Sequence, residues 1–150
     1  MKIIAFDIGS HLAVAGNFET PWTNRLLCEG DRRKRATTAL VWFEGLIVAH
    51  KAYGGECVIY ERPFARGQHA TRALWGLAGI LEAVAMKHGF TALDVLPSTI
   101  KKWACGKGTA SKDDMMAAAK RMGYTGDNEH EADSFCLLKY AEANVIEGNE

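Results

Sequence analysis

The sequence predicts an α/β fold, and three observations carry that prediction. Short apolar runs of strand length alternate along the chain with longer stretches of helical periodicity. The run Lys2-Ile3-Ile4-Ala5-Phe6-Asp7-Ile8-Gly9-Ser10 is apolar on both faces. Strand alternation sends Ile3, Ala5 and Asp7 to one side and Ile4, Phe6 and Ile8 to the other, as in a central strand covered on both sides. The stretch 68–88 is apolar around most of a helical circumference, so it needs cover on most sides. At 150 residues, 48% of them hydrophobic and 24% charged, the chain can bury a real core. One domain over 1–150 is expected, with a polar tail from about 142 to 150.

Composition excludes several classes. Eighteen basic and eighteen acidic side chains cancel, so net charge alone argues for no partner. No apolar run reaches the length of a membrane span, and the start, with one Lys leading straight into a strand, does not read as a signal peptide. The expected location is the cytoplasm. Cys28, Cys57, Cys105 and Cys136 are far apart and form no C-x-x-C pair. They fit reduced core residues and argue against a zinc site.

The elements follow in order. After the Gly9-Ser10 turn, 11–18 reads as a second strand closing a tight hairpin, and 22–27 as a third. Asp31-Arg32-Arg33-Lys34-Arg35 is the densest basic cluster, a solvated loop, a helix start or a phosphate-contacting patch. The spacing of Leu40, Phe43, Ile47 and Tyr53 predicts a helix over 35–53, stopped by Gly54-Gly55. A strand follows over 57–61, then breakers and charge in Arg62-Pro63-Phe64-Ala65-Arg66-Gly67. In the helix over 68–88, Ala70, Ala73, Leu74, Leu77, Leu81 and Val84 form one stripe, while Trp75, Ile80 and Met86 extend the apolar surface. Gly76 and Gly79 let a neighbour approach, and pairing with a second copy is the economical cover. Residues 90–96 read as a strand ended by Pro97, with Ser98 capping a short helix. The glycine-rich Gly106-Lys107-Gly108-Thr109-Ala110-Ser111-Lys112 lacks P-loop spacing and leads into a helix over 111–122. A last helix opens near Asp127-Asn128, with Asn128 and Glu131 at capping-box spacing.

The candidate chemistry lies at element ends. Asp7 and Glu61 each close an apolar strand. On neighbouring strands they would lie side by side, and two buried carboxylates repel unless they share a proton or hold a divalent cation. His130 and Asp133, three apart, share a helical face; Glu129 and Asp133, four apart, are the alternative pair. Phe64 is either packed or a base-stacking wedge. No Ser-His or Cys-His nucleophile pair is evident.

Five segments together carry a resemblance: Phe6-Asp7-Ile8-Gly9-Ser10, Ile59-Tyr60-Glu61-Arg62-Pro63-Phe64, Pro97-Ser98-Thr99-Ile100-Lys101, the loop ending in Ala110-Ser111-Lys112, and His130-Glu131-Ala132-Asp133-Ser134. In order and spacing, to about Tyr140, they resemble the RuvC-type Holliday-junction resolvases of the RNase H-like nuclease superfamily. The resemblance implies an RNase H-like mixed five-stranded sheet flanked by helices on both faces. It implies a homodimer, for which the helix over 68–88 is the expected interface, and an endonuclease that resolves four-way DNA junctions. Two Mg²⁺ ions per active site would serve it, with Mn²⁺ able to substitute. Asp7, Glu61 and Asp133 match the family's metal-binding acids. His130 stands where many members carry Asp and some carry His, so it would ligate the second metal or move a proton. Lys101 and Lys112 match lysines at or near the scissile phosphate, and Phe64 matches an aromatic that stacks on junction bases. Arg66, Lys102, Lys107 and the cluster of Arg32, Arg33 and Arg35 are further expected DNA contacts. Two other readings stay open: an RNase H-like nuclease for structured RNA, and a non-catalytic junction-binding dimer.

Overall fold

Because both faces of Ile3–Ile8 (β1) are apolar and fully buried, this strand takes the middle of the sheet. The computed structural model describes residues 1–64 and 67–145, so Arg66 and the last five residues of the expected tail lie outside the described residues. Leu12–Gly16 (β2) folds back on β1 in antiparallel register, with Ile8 opposite Leu12, and Trp22–Leu26 (β3) continues the meander on the outside. Trp22 lies flat across Gly16, where a methyl group would run into the indole. On the other side of β1, Cys57–Glu61 (β4) and Ala92–Val95 (β5) run parallel to it. The order β3-β2-β1-β4-β5 makes the sheet mixed and five-stranded.

Alternation along β1 divides the interior into two cores. Ile4, Phe6 and Ile8, with Val58 and Tyr60, pack against Arg32–Ala52 (α1) and Gln68–Lys87 (α2) through Phe43, Ile47, Leu77 and Leu81. Ile3, Ala5 and Ile59 face Pro97–Cys105 (α3), Lys112–Arg121 (α4) and Glu129–Asn144 (α5), meeting Ile100, Met115, Phe135 and Leu137. The Tyr60 hydroxyl donates to the Glu82 carboxylate, tying β4 to α2. All four cysteines are free thiols. Among the described residues no helix is long and apolar enough to cross a membrane.

Several local expectations need correction. Helix α1 begins at Arg32, not near 35, because Asp31 Oδ1 accepts from the backbone N–H groups of Arg33 and Lys34 and so caps it. Its inward residues are Ala39, Phe43, Ile47 and His50, whereas Leu40 and Tyr53 face solvent. Pro97 does not merely end a strand: it is the first residue of α3, and Leu96 rather than Ser98 occupies the cap, with no side-chain bond there. Helix α5 continues to Asn144, past the expected start of the tail, because Glu142 accepts from Lys139 at 2.8 Å and from Asn17 at 3.1 Å.

Candidate active site

Asp7 is the next-to-last residue of β1 and points with Ile3 and Ala5 toward α5. Phe6 pairs with Tyr60 in parallel register, so one step on Asp7 and Glu61 stand side by side at the carboxyl edge of the sheet. Helix α5 packs over β1 and β2 and brings Asp133 to the same edge. Its start is held by two devices. Asn128 Oδ1 accepts from the backbone N–H groups of His130 and Glu131, as an N-cap should. Glu131 does not return to the cap as a capping box would; its carboxylate accepts from Thr23 Oγ1 at 2.6 Å and from Arg25 at 2.9 Å. That clamp fastens α5 to β3.

The acids are uncomfortable together. Burial, then the charges of Asp7 and Asp133, push the Glu61 carboxyl well above the usual carboxylate range, against the opposing pull of Lys101. Burial followed by Asp7 pushes Asp133 up to about 7, with His130 and Lys101 opposing. His130 Nδ1 lies 3.7 Å from Asp7 Oδ2, an ion-pair distance beyond hydrogen-bond reach, and Asp7 is the chief cause that holds the imidazole above its ordinary value. Its other nitrogen is 3.6 Å from Glu129.

The structure thus brings Asp7, Glu61, Asp133 and His130 to one place, with two lysines beside them. A cavity of about 310 Å³ is lined by Glu61, Lys101, Lys112 and Asp133. A larger one of about 710 Å³ opens on the other side of Lys112, past His130. Lys112 sits between the two and donates to Glu129 at 2.9 Å. Lys107 pairs with Asp114 at 3.3 Å, and Lys102 is exposed on α3. Phe64, 81% exposed just beyond β4, has no packing role. Arg32, Arg33 and Arg35 are not part of this assembly; they lie at the start of α1, on the opposite face of the sheet.

Two residues at the site carry no sequence signal of their own. His11, in the β1–β2 turn, stacks on His130 with ring centroids 4.9 Å apart and planes inclined by 25°. Arg25 lines the larger cavity beside it. Only the short distance of His11 from Asp7 along the chain hints at a shared location. Ser10 Oγ lies 3.3 Å from Nδ1 of His11, a Ser-His contact that the sequence did not announce. It joins chain neighbours on an exposed turn, and among the described residues no carboxylate orients the ring from its other nitrogen, as nucleophilic catalysis requires.

Whether these residues fit a divalent metal is decided by their chemistry. Oxygen-rich donors suit Mg²⁺ or Mn²⁺ rather than zinc, and carboxylates that raise one another's pKa gain most from a shared cation. Among the described residues no three His, Cys, Asp or Glu side chains are drawn up closely enough to clasp an ion as they stand. The set fits by donor type and charge.

A mixed sheet of this order, with acids at the carboxyl edge and helices on both faces, defines an RNase H-like α/β fold. The fold is similar to that of RuvC. A Thermus thermophilus RuvC structure is similar over 95% of this chain and 96% of that one, at a TM-score of 0.71 and 15% identity. T. thermophilus RuvC in complex with a Holliday junction substrate is similar over 96% of both chains, at a TM-score of 0.74 and 14% identity. At such identity the likeness establishes the fold. No protein-family model matches the chain, and no curated protein matches it in sequence.

Proposed function

We propose that this chain is a single-domain, structure-selective endonuclease that resolves four-way DNA junctions by metal-assisted phosphodiester hydrolysis in the cytoplasm. One observation carries the reading: three acids from β1, β4 and α5 converge at one sheet edge, where burial and then the neighbouring acid charges hold the carboxyls of Glu61 and Asp133 above the usual range, within a RuvC-like fold. Such a cluster is costly to keep unless a ligand relieves it.

Asp7, Glu61 and Asp133, with His130 beside them, would hold two Mg²⁺ ions, and Mn²⁺ would serve as well. Bound there, the ions would supply acidified water and charge neutralisation at the scissile phosphate. Lys101 faces Glu61 and Asp133 and offers a phosphate oxygen a counter-charge. Lys112 exchanges the Glu129 carboxylate for phosphate when DNA enters, which gives that lysine a binding-dependent position. His130, oriented by Asp7 and by the stacked His11, presents its second nitrogen toward Glu129 and the larger cavity, where it moves a proton or completes the ligand set. Phe64 supplies a stacking surface for an unpaired base, and Lys102, Lys107 and Arg66 extend the phosphate contacts.

The working form is a homodimer built on α2, because Trp75 (41% exposed) and Met86 (67% exposed) leave apolar surface on the side of that helix turned away from the sheet. Ile80, by contrast, is half-buried against the α1 side. Twofold symmetry would set two sites on related strands of a junction.

The test is incubation with a synthetic four-way junction, a linear duplex and a structured RNA in Mg²⁺, with an EDTA control. Paired nicks in the junction alone are expected. Full activity in EDTA, or RNA cut in preference to the junction, would refute the reading.

A further inference from the structure

Helices α1 and α2 both start at the carboxyl edge of the sheet. β3 ends at Leu26, opposite Leu12 and hence beside the end of β1, and β4 ends at Glu61. Both helices lie on the face opposite α5. Between the first turn of α1 and the stretch 72–80 of α2 runs a groove of about 420 Å³, rimmed by Arg32, Arg33 and Arg35 of α1 and Arg72 of α2, and floored by residues such as Gly76 and Ile80.

The charges there are placed against the interest of the fold. A helix N-terminus carries positive partial charge and favours acids, yet neither helix has an acid in its first turn, and α1 begins Arg-Arg-Lys-Arg. The nearby Asp31 is committed to capping α1 through the backbone N–H groups of Arg33 and Lys34. Among the described residues none of the four arginines forms an ion pair; the arginines that do are Arg25 and Arg62. Arg35 Nε is buried with no hydrogen-bond partner. At the N-terminus of α2, Gly67 provides no side-chain cap. In a chain of zero net charge, four guanidinium groups without an ion-pair partner around one groove make a local positive patch suited to a polyanion.

We propose that this groove seats the phosphate backbone of a second arm of the same branched DNA, an inference that rests on the junction reading above. Guanidinium forks suit phosphate oxygens, and the small, apolar floor lets a backbone approach closely. The groove and the acid cluster share one sheet edge but lie on opposite faces of the sheet. A straight duplex follows one face; arms that diverge from a branch reach both. The groove therefore favours branched over linear DNA, with Arg72 as a contact that the basic run 31–35 does not include.

The test compares wild type with the Arg33→Gln/Arg72→Gln double variant, neither residue belonging to the acid site. Binding of a fluorescent four-way junction and of a linear duplex is measured by anisotropy without Mg²⁺ across a salt series, beside thermal melts of both proteins. The variant is expected to bind the junction about tenfold more weakly, with a log–log salt slope shallower by about two. Duplex binding should change little, and the melting temperature should not fall, since Arg33 leaves a positive helix end and neither arginine gives up an ion pair. Junction affinity and slope equal to wild type in a folded variant would overturn the groove, as would equal losses on junction and duplex, or a wild type that binds no DNA. A protein that binds junctions through these arginines but cuts none upholds the groove and refutes the nuclease reading.

Discussion

The two ends of the sheet bury titratable groups in opposite ways. At the carboxyl edge, Asp7, Glu61 and Asp133 crowd together, open on one side to cavities lined by lysine. At the amino edge a single imidazole, His50, is wholly enclosed between Phe18 and Phe90, beside the backbone of Cys57. Burial there holds its pKa down to about 4, so it is neutral in the fold. One edge keeps charge in reach of a ligand, and the other discards charge for packing. Repulsion beside an opening leaves room for a ligand to relieve it; a neutral ring in a sealed space belongs to the core.

The contrast is broken most directly at the acids. Asp7→Asn, Glu61→Gln or Asp133→Asn should each lower junction cleavage by roughly a thousandfold or more, while junction binding, which rests on cations, persists. Gel cleavage and anisotropy assays on the same preparations check both halves. His130→Ala should lose roughly a few hundredfold, within the range of a displaced acid–base group, and His130→Asp should keep most of the activity. Near-normal turnover by the Ala variant at saturating Mg²⁺ would reduce His130 to a helix-start residue.

At the other edge the readout is stability against pH. His50 titrates near 6.5 when unfolded and near 4 in the fold, so the unfolded chain takes up the proton first. Its penalty is absent above pH 6.5 and grows as pH falls toward 4, reaching about 3 kcal/mol. His50→Phe should remove that part of the acid loss in urea titrations at pH 7 and pH 4.5. The acids have the opposite sign. The raised pKa of Asp133 means that stability is lost as pH climbs from about 3.8 through about 7, so in metal-free buffer at neutral pH Asp133→Asn should be more stable than wild type by on the order of 1–2 kcal/mol. Mg²⁺ should raise the melting temperature of wild type and leave that of the variant nearly unmoved. The smallest effect belongs to Glu56, an exposed acid that accepts from the Lys2 backbone N–H at 2.8 Å and nudges His50 upward: Glu56→Gln should change stability by less than about 0.5 kcal/mol.

What could be read in advance follows from where the signal was local. Asp7 and Glu61 were legible because each ends an apolar run, and alternation assigns each to a face without knowledge of the partner strand. The inward face of α1 was not, because it is built from Ala39 and the neutralised His50 as much as from Phe43 and Ile47. Leu40 and Tyr53, which made the apolar spacing look regular, are exposed. Ser98 was a reasonable cap by residue type, but Pro97 already fixes the helical φ one position earlier. His11 and Arg72 were invisible for another reason. Each matters through a neighbour from a distant element, His130 for the one and the basic start of α1 for the other, and no periodicity within a segment reports that.

The reliance of the acid cluster on both β1 and α5 has a consequence during synthesis. Asp133 comes late in the chain, and an isolated helix as short as α5 has little stability until it docks on β1 and β2. A ribosome that has already made the sheet-forming strands and the arginine groove therefore holds a protein that lacks its third acid. On the proposed reading, the nascent chain cannot nick DNA before α5 docks. A fragment that loses α5 loses Asp133 and the apolar cover of β1 and β2 together, so on that reading cutting is confined to molecules in which α5 has docked.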